Sequence, residues 1–180
     1  QKVFDVGIQT SRLLSEYSKT KNPLTSGMVV KNGRGNGSLM RVFPLGLYGN
    51  HEEDKIVEYA HLQSMITHGD IIPQVCCAFY SLWVRETAKG GSIKESYEKS
   101  AEKLQKLYEG QTEHLYYFTE RLRPLDYNIK GKGTGYVLDT LRSVRDVLFE
   151  QNNYKDVIIN SVLLGNDTDT VAAIAGGIAG

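Results

Sequence analysis

The sequence predicts an all-α fold, a compact helical bundle with its functional loops between helices. Apolar residues recur at helical steps along most of the 180-residue chain, and strict apolar–polar alternation is almost absent. The composition is that of an ordinary globular protein. With 41% hydrophobic and 23% charged residues it excludes a disordered tail, a collagen-like fibre and a disulfide scaffold. Lys and Arg number 21 and so do Asp and Glu, for a formal net charge of zero. Nucleic acid and acidic membranes are therefore not expected partners, and no basic patch of useful size offsets that balance.

Taken in order, the chain opens at Gln1 in helical spacing, with Val6, Leu13, Leu14 and Tyr17 on one side. Met28 to Val30 is the best candidate for a short strand. Leu39 to Pro44 reads as a buried apolar segment, and Asp54–Thr67 and Ile71–Thr87 as helices. The second of these contains the adjacent Cys76 and Cys77. Neighbouring cysteines do not easily meet disulfide geometry, and no Cys/His spacing fits zinc. They read as small buried residues of a reducing compartment. With no signal peptide and no apolar run of ~18 residues, the expected location is the cytoplasm.

Ser92–Leu107 carries Ile93, Tyr97, Ala101, Leu104 and Tyr108 on one face. Its other face is Lys and Glu, a solvated surface with Glu95–Lys99 and Glu102–Lys106 pairs worth ~0.3–0.5 kcal/mol each. Thr112–Leu122 follows as a helix. Val137, Leu141, Val144 and Leu148 then repeat the helical step, with Arg142, Arg145 and Asp146 turned outward. Tyr154–Leu164 is helical, and Val171–Gly180 is an uncharged run expected to be a buried helix. Such a helix rarely ends a domain without a polar cap. The expectation is thus a single domain over 1–180 that is a piece of a larger one.

Two glycine-rich loops punctuate the helices. Lys31–Ser38 has glycines at 33, 35 and 37, but it is not GxGxxG and no βαβ pattern surrounds it. Gly131–Gly135 lacks the phosphate-loop spacing. The first loop can be a surface turn, or its successive N–H groups can line a concavity for anionic or hydroxyl oxygens. Gly165-Asn-Asp-Thr-Asp-Thr170 holds two carboxylates and two hydroxyls beyond its Asn. In a regular helix Asp167 and Asp169 diverge by about 200°, so a hard-oxygen site needs this run to be the turn entering the helix at Val171. One reading is a double N-cap with no ligand. The other is a divalent cation, Mg²⁺, Mn²⁺ or Ca²⁺, converting the mutual repulsion of two carboxylates into binding.

Four segments together carry a resemblance: Gly35-Asn-Gly-Ser-Leu-Met-Arg-Val-Phe-Pro-Leu-Gly-Leu47, Thr67-His68, Gly133–Leu141 and Gly165–Gly176. In this order they resemble the ADP-ribosylglycohydrolase family. The resemblance implies an orthogonal helical bundle around a central dinuclear Mg²⁺ site, with Mn²⁺ as a substitute. It implies metal ligands at Asp167, Asp169 and Thr170, the two carboxylates also being those the reaction depends on. It further implies substrate contacts at Gly35, Asn36, Gly37 and Ser38 for ribose and diphosphate, at His68 beside the ribose, and at Gly135 and Tyr136 near the nucleotide. Asn166 stands where many members have a second Gly, a harmless change because Asn tolerates the left-handed backbone. Arg41 reads as a structural ion-pair partner, and His68 could equally be an ordinary helix-end residue.

The implied activity is hydrolysis of the bond between C1″ of ADP-ribose and a modified protein side chain. The family's other metal half, a Thr-Asp-Asp run, has no counterpart between Gln1 and Lys31. The expectation is that this chain alone binds metal weakly and hydrolyses nothing. The rivals are a non-catalytic ADP-ribose-binding or structural protein on the same fold, and a cation-stabilised helical domain with no sugar ligand.

Overall fold

The computed structural model describes residues 6–26, 32–48, 52–122 and 128–180. Its helices are α1 (Ile8–Thr20), α2 (Pro23–Ser26), α3 (Phe43–Leu47), α4 (Glu53–Met65), α5 (Ile71–Ala88), α6 (Ile93–Leu107), α7 (Thr112–Tyr116), α8 (Val137–Glu150), α9 (Tyr154–Leu163) and α10 (Thr168–Ala179). A 3₁₀ turn spans Leu39–Arg41 and a wide π-type turn spans Tyr117–Leu122. The strand expected at Met28–Val30 lies outside the described residues. Among those that are described, the one β pairing is an isolated antiparallel bridge between Gly35 and Tyr136. No described helix is long and apolar enough to cross a membrane.

The hub is α5, capped by Asp70, whose carboxylate accepts the Ile72 N–H at 3.0 Å. Its near-continuous apolar sequence lets it bury every side, with α3, α4, α6, α8 and α10 packed around it. Cys76 and Cys77 are buried there and form no disulfide. Aromatic rings fill the space toward α6 and α8. Trp83 and Phe79 each meet the Tyr97 ring edge-on, at 4.8 and 4.9 Å between centroids. The Trp83 indole N–H donates to the Ile93 carbonyl at the start of α6 (2.9 Å), and Tyr80 Oη donates to the Ile174 carbonyl of α10 (2.8 Å). Helix α6 starts on a capping box, with the Ser92 hydroxyl accepting the Glu95 N–H and the Glu95 side chain accepting from Ser92.

Four expectations are revised by packing. On α1, Leu13 is 1% exposed but Leu14 is 55% exposed, so the apolar face divides. On α6, Lys103 does more than meet solvent: it pairs with Glu53 of α4 and with Glu86 of α5 (2.9 Å), while Lys89 pairs with Glu86 at 2.6 Å. Arg142 and Arg145 on α8 turn inward, 8% and 3% exposed, because incoming backbone needs donors. Arg142 donates to the Arg121 carbonyl (2.7 Å) and Arg145 to the Ile129 carbonyl (3.1 Å) and the Asp146 carboxylate (2.6 Å). Helix α10 begins at Thr168, three residues before Val171.

Candidate functional site

The bridge between Gly35 and Tyr136 brings the first glycine loop onto the start of α8. Asn36 N–H donates to the Gly135 carbonyl (3.1 Å), and Val137 N–H donates to that of Arg34 (3.0 Å). Asn36 is thereby turned inward and buried. Its amide donates to Thr140 Oγ1 on α8 (2.9 Å) and to the Asp167 carboxylate (2.6 Å), a contact spanning 131 positions of sequence. The glycine loop, α8 and the acidic turn thus meet at one side chain.

Asp167 occupies the N-cap position of α10, yet its side chain makes no capping bond. Its carboxylate is spent on Asn36 instead, which removes the double-cap account for this residue. Gly165 (φ +75°) and Asn166 (φ +60°) swing the chain through two left-handed residues just before it, and Asp167 N–H is held by the Gly133 carbonyl at 2.8 Å. Asp169 lies exposed in the first turn of α10, and Thr170 is buried one residue on. Asp167 at the non-helical N-cap, and Asp169 and Thr170 in the first turn of α10, carry hard oxygens of the kind Mg²⁺ or Mn²⁺ prefers. Among the described residues no group of three or more His, Cys, Asp or Glu could hold a metal ion.

On the other side of the glycine loop stands His68, 2% exposed. A Cβ on Gly37 would lie 2.9 Å from its Cε1 and 3.2 Å from its Nε2, so a larger residue there would have to displace this ring. Burial, and secondarily the charge of Arg41, lower the His68 pKa from 6.5 to about 4, so the ring is neutral at pH 7. No hydrogen bond among the described residues takes up the half-buried Gly35 and Gly37 amides, which leaves two donors for a ligand. Tyr136, 38% exposed, edges an open groove of about 410 Å³ shared with Ile8, Gln9, Arg12 and Arg34. Gly135 backs onto the acidic turn: its Cβ would lie 3.3 Å from Asp167 Oδ2.

Ser38 departs from the expectation. Its side chain is completely buried and donates to the Ser64 hydroxyl oxygen (2.9 Å), whose own proton goes to the His68 carbonyl, so it anchors the loop to the core. Arg41 bonds neutral oxygens, those of Gln63 (side chain 3.0 Å, carbonyl 2.7 Å) and Thr67 (2.7 Å). Gln9, unmarked in the sequence, donates to both the Gly33 carbonyl (3.0 Å) and the Thr67 carbonyl (3.1 Å), tying loop to helix end from α1. Nothing in the spacing around a lone Gln announces that tie.

The second glycine loop has a different occupation. Gly131 N–H donates to Asp146 (2.9 Å), Lys132 N–H and Thr134 N–H to Asp139 (3.0 and 2.7 Å), and Gly133 N–H to Ser143 Oγ (2.9 Å). Residues 139, 143 and 146 share one face of α8, an i, i+4, i+7 polar stripe that could have been read as loop-binding.

An all-α bundle whose site is built by loops, with a glycine loop and a hard-oxygen turn joined through Asn36, defines the class. The ADP-ribosylglycohydrolase family model matches residues 1–180, and the chain belongs to that family. It is 25% identical over 186 residues to the ADP-ribosylarginine hydrolase Tri1 of Pseudomonas putida (strain GB-1), covering 98% of this chain and 46% of that protein. It is also 25% identical over 179 residues to the ADP-ribosyl-[dinitrogen reductase] glycohydrolase of Rhodospirillum rubrum, covering 98% and 54%. A solved structure described as an ADP-ribosylglycohydrolase-related protein complex superposes with a TM-score of 0.65 at 23% identity, over 96% of this chain and 57% of the other. The chain spans about half the length of the curated relatives it matches.

Proposed function

We propose that the protein is a Mg²⁺-dependent hydrolase that releases ADP-ribose from modified protein side chains by breaking the glycosidic bond at C1″. In this reading the chain carries half of a dinuclear site, and alone it binds metal weakly and is inactive. The observation that supports this best is Asp167, an N-cap residue that does not cap but is held by the glycine loop.

Asp167, Asp169 and Thr170 would hold the cation, with Mn²⁺ as an alternative; when bound it supplies charge stabilisation and orients water and ribose hydroxyls. The Gly35 and Gly37 amides, which meet no acceptor among the described residues, would receive the diphosphate, so little net positive charge is needed. Asn36 fixes the Asp167 carboxylate, His68 offers a neutral ring beside the ribose, and Gly135 and Tyr136 flank the nucleotide. Two buried cysteines that form no disulfide accord with a reducing compartment such as the cytoplasm.

Asp167→Asn and Asp169→Asn should each lower Mg²⁺-dependent release of ADP-ribose from arginine- or serine-linked substrates by at least ~100-fold in the whole protein. Near-wild-type turnover in both would remove the metal assignment. Tight ADP-ribose binding with no hydrolysis on either linkage would favour a non-catalytic binding protein instead.

A further inference from the structure

Building on the proposed place of His68 beside the ligand, we propose that Thr67 and Arg41 are positioning residues. They hold His68 in the tautomer protonated on Nε2, so that a neutral N–H donor faces the Gly35–Gly37 loop and the ligand oxygen received there.

The hydrogen-bond directions carry this. A guanidinium only donates. Arg41 Nη2 gives one proton to the Gln63 carbonyl and another to Thr67 Oγ1, both at 2.7 Å, while Nε gives one to Gln63 Oε1 at 3.0 Å. Thr67 Oγ1 has one other partner among the described residues, His68 Nδ1, also at 2.7 Å. The hydroxyl has a second lone pair that could accept from Nδ1–H, but its own proton would then have no acceptor among the described residues, so the hydroxyl donates to Nδ1. A ring nitrogen that accepts carries no proton, and a neutral imidazole then bears it on Nε2. The nearby cation, together with burial, keeps the ring neutral at pH 7.

The backbone around the pair is fixed as well. His68 N–H donates to the Ser64 carbonyl (2.7 Å), the Ser64 hydroxyl donates to the His68 carbonyl (3.2 Å), and Gln9 holds the Thr67 carbonyl. The Nε2 edge is the one the glycines accommodate, since a Cβ on Gly35 or Gly37 would stand 3.5 or 3.2 Å from it. Tautomer decides the sign of what this edge presents. With Nε2–H it attracts ribose or phosphate oxygens. With bare Nε2 it sets a lone pair against theirs. An unanchored imidazole would divide between the two forms.

Nitrogen-15 spectra of histidine-labelled protein test the assignment. The chain has four histidines, and His68→Gln identifies the resonances. At pH 7 His68 is expected to show a pyridine-like Nδ1 and a pyrrole-like Nε2. Thr67→Val, which keeps the shape and loses the hydroxyl, should bring both shifts toward intermediate values and weaken ADP-ribose binding ~10-fold by calorimetry. Thr67→Ser should restore both, and Arg41→Met should move the same resonances by freeing the hydroxyl to turn. A merely structural role for Thr67 would lower the melting temperature without changing the tautomer ratio. A pyrrole-like Nδ1 in the wild type, unchanged shifts in Thr67→Val, or altered shifts with unaltered ADP-ribose affinity would each overturn the proposal. If the wild type bound no ADP-ribose, the proposed function would fall, while the tautomer would still stand or fall on the spectra.

Discussion

The two glycine loops, Gly33–Gly37 and Gly131–Gly135, look alike in sequence and are used in opposite ways. The second lies on α8 with the amides of Gly131, Lys132, Gly133 and Thr134 bonded to Asp139, Ser143 and Asp146. In the first, the Gly35 and Gly37 amides meet no acceptor among the described residues, and the loop is held by the side chain of Asn36, the bridge to Tyr136 and the reach of Gln9. Glycine content therefore does not make a ligand loop. What separates them is where the acceptors sit. A loop followed by a helix with a stripe of oxygen atoms is consumed by that helix, whereas one followed by the Leu39–Val42 turn, whose side chains carry no acceptor oxygen, is not.

The sharpest way to break this contrast is at Gly133. Its φ of +70° disfavours any side chain, and a Cβ would lie 2.7 Å from the Gly165 carbonyl, which is backbone and has no room to yield. Gly133→Ala should cost about 2–4 kcal/mol, lowering the melting temperature by roughly 5–15 °C in a calorimetric scan. Because Gly133 also accepts the Asp167 N–H, metal binding should weaken along with stability. Gly37→Ala is the counterpart in the first loop. There the obstacle is a side-chain ring, so the fold should survive and ADP-ribose binding should suffer, measured side by side. Equal loss of stability in the two variants would mean that the loops are not functionally divided.

Much of the fold was legible in the residues because helical periodicity is local. The bounds of α5, α6 and α9 fall within a residue of the expected ones, since each is bracketed by a cap or a turn glycine. The orientation of Arg142 and Arg145 was not legible. A helical wheel places charges away from apolar residues, but it does not know that the chain at Arg121 and Ile129 returns with carbonyls needing donors. The start of α10 was missed because Thr168 and Asp169 read as caps, and the turn that replaces them is made by the left-handed Gly165 and Asn166. In the site, the four motifs singled out the residues but not their contacts. That Asn36 reaches Asp167 depends on the Gly35–Tyr136 bridge, a pairing too short to leave an alternating pattern. Ser38, inside a motif, points inward because the 3₁₀ turn at Leu39–Arg41 buries its neighbour Leu39.

Acid provides a finer separation. Beside the first loop His68 has its pKa lowered by burial and then by Arg41 to about 4, and within α4 His61 is lowered to about 3 by burial and then by His114. The ordinary value is 6.5, so the unfolded chain binds protons that the fold excludes. The stability this contributes is complete above pH 6.5 and lost as pH falls toward 4 for His68 and toward 3 for His61, at up to about 1.4 kcal/mol per pH unit for each. Urea unfolding at pH 7 and pH 5 should show the decline, and His61→Phe should halve it. Amide exchange resolves the loops. Between pH 6.5 and 5, protection corrected for intrinsic rates should fall at Asn36, which lies between the two glycines that pack on His68, before it falls at Thr134, which answers to Asp139. Parallel loss at both amides would show that the loops open as one unit.

The smallest effect expected is at Asn166, where the loops touch: its side chain donates to the Lys132 carbonyl at 2.9 Å from a left-handed backbone at φ +60°. Asn166→Gly loses that bond but relieves the backbone cost an L residue bears there, and the position is exposed. The two contributions oppose each other and have similar size, so stability should change by no more than about 0.5 kcal/mol. Asn166→Ala loses the bond and keeps the strain, and it should be the worse of the two. Denaturation midpoints of the pair measure the difference. If glycine proved as damaging as alanine, the bond to Lys132 rather than the backbone turn would be what holds the acidic run against the second loop.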